Sequence, residues 1–317
     1  MILAADVGAT KILLEAGDLR SDGWQPALAR RYQLAEFESF SAVMATFLEE
    51  FKRVKPPRAR ITAACIGAAG PALDNKVKMT HRPWTLDGAR IAREFGIPKV
   101  RVVNDLAAGA YGVGLVGSRD LLTIQPGKAI AGEPQVVLGV GTGLGVAYLI
   151  PEGDRVKVVP GEGGHVGFSP ASVGQLRLAA AFCEIHGRVE AEDLVSGRGL
   201  ANIYQHLAAS TEPVDPAWIS DRAMNFEDYT CREALDLMVE CLGTIAGDHA
   251  LAVMARGGVF IVGGVAAKIA PLIKQPRFIA AFCAKGVFSA TMMRIPVKVA
   301  TSERIAVLGA ARFALDA

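Results

Sequence analysis

Charge imbalance is almost missing from this chain. Among 317 residues, lysine and arginine number 34 against 32 aspartates and glutamates. That excess is too small to point to nucleic acid or an anionic membrane as a partner. No block of like charges occurs either; Arg30, Arg31, Arg58 and Arg60 stand apart from any longer basic run. Cysteine is scarce. Cys65, Cys183, Cys231, Cys241 and Cys283 are odd in number and form no Cys-x-x-Cys pair. They argue against a disulfide framework or a structural zinc site and read as reduced thiols of a cytoplasmic protein. Long apolar runs are missing too. Asp6 breaks the apolar start, so no secretory leader is expected. The uncharged run from Pro134 to Pro151 is nearly long enough to cross a bilayer. Gly139, Gly141, Gly143 and Gly145, with Gln135 and Thr142, make a strand–turn–strand the better reading. Low-complexity tracts, short-period repeats and a clear linker are also lacking.

What is there is a composition of 51% hydrophobic and 21% charged residues. It suits a globular chain with a sizeable core, and the length suggests roughly two domains. The apolar pattern alternates between strand and helix. Ile2–Val7 reads as a strand, Gly8-Ala9-Thr10 as a turn and Lys11–Ala16 as the returning strand. Phe40, Val43, Met44, Phe47, Leu48 and Phe51 recur at helical spacing behind Ser39, a plausible N-cap, and Pro56-Pro57 ends that helix. Ile61–Gly67 reads as a buried strand. Thr85 is placed to cap a helix through Phe95 that Gly96 terminates. Lys99–Val103 is a strand with Asn104-Asp105 at its carboxyl end, followed by a helix over Leu106–Leu115. Further helices are expected over Gln175–His186, Gly199–Ala209 and Asp228 to about Met254. Val259–Val262 and Pro296–Ala300 read as strands, and Ser302 as the cap of a last helix through Phe313. The fold class is therefore α/β.

Several segments can carry chemistry. In Asp6-x-Gly8-x-Thr10, a glycine turn exposes backbone N–H groups that can cradle phosphate oxygens. Asp6 can position a hydrated Mg2+ and Thr10 can donate to a phosphate; a plain β-turn would use the same residues. Gly139 to Gly145, with Gly141, Thr142 and Gly143 at its centre, leaves one edge of a bend free of side chains, so nucleotide phosphates can approach. A glycine-rich hairpin is the equal alternative. Gly257 to Gly264 is a strand ending in glycines, which would admit a flat ring or simply make a turn. Asp105, at a strand end and a helix start, can accept a proton from an attacking hydroxyl, or merely cap the helix. In Gly161-Glu162-Gly163-Gly164-His165 the glycines permit a sharp turn or close approach to a ligand, with Glu162 and His165 offering hydrogen bonds of both signs. In the acidic stretch from Glu190, Glu192 can accept two protons from a vicinal diol, or serve an acidic first helical turn.

Taken together, these segments resemble the bacterial glucokinase family, of the actin-like (ribonuclease H-like) ATPase superfamily. The resemblance covers nearly the whole chain. It rests on Asp6-Val7-Gly8-Ala9-Thr10, Asn104-Asp105-Leu106, Gly139 to Val146, Pro160 to His165, Ala191-Glu192 with Ser196-Gly197, and Gly257 to Gly264, in the family's order. It implies a small α/β domain of residues 1–106 plus 302–317, a large one of 107–301, and a cleft that closes on sugar. It also implies ATP and Mg2+ as cofactors, glucose as substrate, and a homodimer. By the same resemblance Asp105 is the general base for the sugar's 6-hydroxyl, and Asn104, Glu162, His165 and Glu192 bind the other hydroxyls. Asp6, Gly8, Thr10, Gly141, Thr142, Gly143 and Gly264 belong to the ATP site, with Asp6 toward Mg2+ through water. Ala9 replaces a second glycine common in the family. His81, in Thr80-His81-Arg82-Pro83-Trp84, stands where an asparagine is common, which bears on sugar preference. The cysteine-rich zinc motif of the related repressor–kinase proteins is absent from the sequence. The expected activity is transfer of the ATP phosphoryl group to glucose; the alternatives are another hexose, such as mannose or fructose, or a non-catalytic sugar sensor.

Overall fold

A computed structural model describes residues 1–20, 23–80, 82–153 and 155–316. In chain order the elements are β1 (Ile2–Val7), β2 (Lys11–Arg20), β3 (Gly23–Gln33), α1 (Phe40–Val54), β4 (Ala63–Ala68), β5 (Ala72–Leu73), β6 (Lys76–Lys78), β7 (Thr85–Asp87), α2 (Gly88–Phe95), β8 (Lys99–Asn104) and α3 (Asp105–Gly112). There follow β9 (Leu121–Gln125), β10 (Gln135–Val140), β11 (Leu144–Glu152), β12 (Arg155–Gly161), α4 (Val173–His186), α5 (Gly197–Leu207), α6 (Pro216–Met224) and α7 (Tyr229–Ala252). The last are β13 (Gly258–Val262), α8 (Gly264–Ile273), α9 (Pro276–Cys283), α10 (Ser289–Met292), β14 (Val297–Ala300) and α11 (Ile305–Leu315).

The chain forms two compact units, Met1–Gly117 with Glu303–Ala317, and Ser118–Ser302. Among the described residues, the first unit is built on a sheet of order β3-β2-β1-β4-β8, with a small β5-β6-β7 sheet beside it. β1 runs parallel to β4, and β4 to β8, so these three strands end at one edge. Buried on one side of them are Leu3, Ile12, Phe40, Met44, Phe47 and Ile66, the apolar stripe read from α1 among them. Ser39 caps α1 by accepting the Ala42 N–H at 3.2 Å. The second unit carries the sheet β12-β11-β10-β13-β14-β9. α7, whose Leu235, Met238, Leu242 and Ile245 are buried, supplies much of its core.

Two expected caps fall elsewhere. Thr85 pairs with Lys78 in β7, and Asp87 caps α2 instead by accepting the Arg90 N–H at 3.1 Å; Gly96, at φ 64°, ends the helix. The last helix starts at Ile305, behind Arg304 and not Ser302. Its entry is held by ion pairs: Arg304 Nε and Nη2 meet the buried Glu15 carboxylate at 2.8 and 2.7 Å, and Glu303 meets Lys11 at 3.2 Å and Arg31. β3 and β12 are edge strands with mostly exposed residues, so neither carries the apolar run of a buried strand.

α3 and α11 cross at glycines. A methyl on Gly112 would strike the Ile305 carbonyl, and one on Gly309 the Ala108 carbonyl. This contact fixes α3, and hence its first residue, against the first unit. We expect Gly309→Ala to lower stability by about 1–3 kcal/mol, as overpacked cores do. Urea unfolding read by circular dichroism measures it; an unchanged midpoint would show that the crossing has slack.

Candidate functional site

In the first unit the candidate residues converge on the shared strand edge. Parallel register sets Asp6 beside Gly67 and Gly67 beside Val103, with Val7, Ala68 and Asn104 in the next row. Registered neighbours point to the same face. Asp6 is therefore one glycine away from the strand that delivers Asp105. A methyl on Gly67 would lie 3.5 Å from the Asp105 Cα and press on Ala108. The missing side chain leaves space between the strand that carries Asp6 and the start of α3, close enough for the Asp105 charge to act on Asp6.

Asn104, not Asp105, caps α3. Its Oδ1 accepts the Ala107 N–H at 3.1 Å, and its Nδ2 donates to the Gly70 carbonyl at 3.1 Å. Asp105 is the first helical residue, and its Oδ1 accepts the Leu106 N–H at 2.8 Å. The glycine turn closes through Gly8 N–H donating to the Lys11 carbonyl at 3.0 Å, with Thr10 exposed at its tip. Burial, with the Asp105 charge second and Lys11 opposing both, pushes the Asp6 carboxyl from 3.8 up to about 7.

This pair fits a divalent cation. Two carboxylates forced together repel each other, and a cation held by one or two carboxylates plus phosphate oxygens and water would relieve that repulsion. Among the described residues no group of three or more His, Cys, Asp or Glu side chains could hold a metal ion by itself.

In the second unit Glu162, His165 and Glu192 gather around the β10–β11 turn. Glu192 lies in the 3-10 turn Ala191–Asp193, and its Oε2 accepts the Leu144 N–H at 2.8 Å. A methyl on Gly143 would sit 2.5 Å from that same oxygen. Gly143 is thus a seat for the Glu192 carboxylate. Gly141 N–H donates to the Gly143 carbonyl and Gly197 N–H to the Gly141 carbonyl, each at 2.9 Å, tying the turn to the start of α5. Thr142 is exposed at the bend. Arg198 lies 3.4 Å from both Glu192 and Asp193.

Gly163 and Gly164 belong to the 3-10 turn Gly163–His165, and both are buried. Methyls there would strike Val146, the His249 ring and the Leu144 carbonyl. The double glycine therefore serves close approach of the loop to β11. Behind it, His249 Nδ1 is 2.8 Å from the Tyr148 hydroxyl. Burial holds His249 below its ordinary range. His165 Nδ1 lies 2.7 Å from Glu190 Oε2, and that bond, with the charges of Glu192, Glu190 and Glu162, raises His165 above 6.5.

Gly264 opens α8, with open space where a methyl would be; Gly263 before it adopts φ 105°, with the Val140 backbone where a methyl would be. Lys268 Nζ reaches Ser220 Oγ at 2.7 Å and Asp221 at 2.8 Å, fastening α8 to α6. Sequence reasoning missed Gly67, Glu190, Arg198, Tyr148 and His249. Only Glu190 carried a signal, two residues before Glu192 in the acidic stretch. His81, singled out above, lies outside the described residues.

Comparisons place this geometry among known proteins. The family model described as Glucokinase matches residues 3–317. The chain is 33% identical over 338 residues to a glucokinase of Nostoc sp. (strain PCC 7120), covering 98% of each. It is 35% identical over 321 residues to a glucokinase of Psychromonas ingrahamii, covering 98% of this chain and 96% of that one. Among solved structures it resembles a glucokinase from an Antarctic psychrotroph with TM-score 0.87 at 29% identity, covering 100% of this chain and 99% of that one. A ROK family glucokinase from Streptomyces griseus, solved with glucose and AMPPNP, shares the fold at TM-score 0.67 and 18% identity, covering 100% and 99%. The fold is thus of the actin-like ATPase type.

The raised Asp6 carboxyl has a measurable consequence. The folded protein keeps a proton that the unfolded chain releases near 3.8, so the corresponding stability is full below about pH 4 and is lost as pH rises to about 7. We expect Asp6→Asn to flatten this fall and to be the more stable protein at pH 8, by on the order of 2 kcal/mol. Urea midpoints at pH 5, 7 and 8, without divalent cations, test it; parallel pH curves for the two proteins would refute the crowding of these carboxylates.

Proposed function

The chain belongs to the glucokinase family and is an ATP-dependent glucose kinase, and we propose that Asp105 is the base that orients and deprotonates the sugar's 6-hydroxyl. The observation that carries the reading is the Asp6–Asp105 pair, opened by Gly67 at the strand ends beside a glycine turn. A carboxylate at a helix start is favoured in its charged form by the backbone dipoles. It can align an attacking hydroxyl and take its proton late, because phosphoryl transfer runs through a loose transition state.

The remaining residues divide by chemistry. Asn104 spends one N–H on Gly70 and a lone pair on Ala107, which leaves one donor and one acceptor site for a hydroxyl. Glu192 spends lone pairs on Leu144 and Arg198 and keeps others for sugar hydroxyls. Glu162 and His165 are proposed for the remaining hydroxyls. The turn Gly8–Thr10, the bend Gly141–Gly143 and the start of α8 at Gly264 are proposed to bind ATP. Backbone N–H groups there meet phosphate oxygens, and bare glycines admit the nucleotide. Mg2+ on the ATP phosphates would neutralise their charge, and Asp6 is proposed to hold it through a water.

The same proposal includes a cytoplasmic homodimer. The five cysteines are unpaired, as suits a reducing compartment. Val173 and Leu176 stand exposed along α4, where a second copy would cover them. Among the described residues no helix is long and apolar enough to cross a membrane.

We expect Asp105→Ala to lower kcat by about 10²–10⁴-fold while the glucose Kd stays within the same order of magnitude. A coupled assay for ADP release, with glucose binding followed by calorimetry, checks both. Near-normal turnover in this variant would remove Asp105 from the proposed role.

A further inference from the structure

Glu190 is tied to His165 by backbone pairing as well as by its side chain. Gly167 and Glu190 form an isolated antiparallel bridge. Phe168 N–H donates to the Val189 carbonyl and Ala191 N–H to the Val166 carbonyl, each at 3.0 Å. This pairing brings two segments 25 residues apart into contact and sets Glu190 Oε2 2.7 Å from His165 Nδ1. Arg188 completes the cluster: its Nη2 donates to the His165 carbonyl at 2.8 Å, and its Nε lies 3.8 Å from Glu190 Oε1. One carboxylate oxygen faces the guanidinium and the other faces the imidazole.

The chemistry of the imidazole follows. A carboxylate only accepts, so His165 Nδ1 carries the proton in this bond. In the neutral ring Nε2 is then restricted to accepting; in the charged ring it donates. Charged and titratable groups facing the ring come from three segments. Glu162 precedes it, Glu190 bonds it, and Glu192 lies beyond with Arg198 against it; Arg188 stands on the far side of Glu190. Carboxylates dominate this set and raise the ring's hold on its second proton. A sugar hydroxyl that donates to Glu162 or Glu192 still has lone pairs to satisfy, and carboxylates cannot satisfy them. An N–H donor among these acceptors is what such a hydroxyl needs.

We propose that Glu190 is a positioning residue for sugar binding, which holds the His165 ring and keeps its Nε2 a hydrogen-bond donor toward a substrate hydroxyl. The inference rests on the reading of His165 as a sugar ligand and adds a residue to it. Its specific consequence is pH-dependent. Without the Glu190 charge, His165 loses its proton at lower pH, and the neutral ring, free to carry its proton on either nitrogen, is a weaker donor than the imidazolium, so glucose binding weakens in mild alkali and recovers in mild acid.

Glu190→Gln keeps the shape but removes the charge and adds an amide donor, so Nδ1 is no longer obliged to carry the proton. Imidazole 15N–1H spectra, with the His165 signal identified by its loss in His165→Gln, should show the His165 titration moved down by about one pH unit. The KM for glucose should rise about tenfold at pH 8 and return to within about twofold of the parent at pH 6. kcat and the KM for ATP should change less than about twofold at either pH. In a His165→Gln background, Glu190→Gln should add nothing. An unmoved His165 titration overturns the proposal, and so does an equal rise in KM at both pH values, which marks Glu190 as loop scaffolding. A moved titration with an unchanged glucose KM sinks the sugar-ligand reading of His165 itself, and the proposal with it.

Discussion

Two like charges share a space at one sheet edge, and the first unit is arranged so that they can. Asp6 is the penultimate residue of β1 and Asp105 follows β8, with Gly67 of β4 between the two strands. Any side chain at Gly67 would fill the gap. Parallel pairing fixes the register, Asn104 fixes the start of α3, and the glycine crossing with α11 fixes where α3 lies. The result is a buried Asp6 carboxyl whose proton is held first by burial and then by the charge of Asp105. Such crowding costs stability, and functional sites are where that cost is found.

The second unit answers with a different economy of groups. Glu192 is seated on Gly143 and satisfied on one side by the Leu144 N–H, so its orientation is decided before any ligand arrives. The loop carrying Glu162 and His165 is pressed onto β11 through Gly163 and Gly164 and backed by the Tyr148–His249 pair. Preorganised acceptors of this kind lose little entropy on binding a polyhydroxyl substrate. They also favour the charged form of His165, which makes its ring the natural donor among them.

Much of the site was legible before folding because its motifs are local. Asp6-x-Gly8-x-Thr10 and Asn104-Asp105 sit where apolar runs stop, and a strand that stops leaves its next residues at the sheet edge. The glycines of the β10–β11 bend were legible as a turn for the same reason, but their purpose was not. Gly143 and the Gly163-Gly164 pair read as room for a ligand; the structure uses Gly143 to seat a glutamate and the pair to admit a neighbouring strand. Edge strands β3 and β12 left no buried apolar run to read, since an edge strand is not required to be buried. Thr85 and Ser302 were plausible caps by residue type, yet strand pairing claimed the first and ion pairs to Glu15 and Lys11 set the helix start past the second.

The amino-acid order alone determined the α/β alternation, the positions of the turns and the candidate groups for chemistry, because each depends on neighbours within a few residues. Tertiary structure decided who meets whom. Asp6 faces Asp105 only because three strands run parallel in one register, and His165 meets Glu190 only because a short antiparallel bridge joins segments that the chain separates. Charge coupling and close packing fall off within a few ångströms, so they are properties of distances in space, and the spacing of residues along a sequence does not contain them.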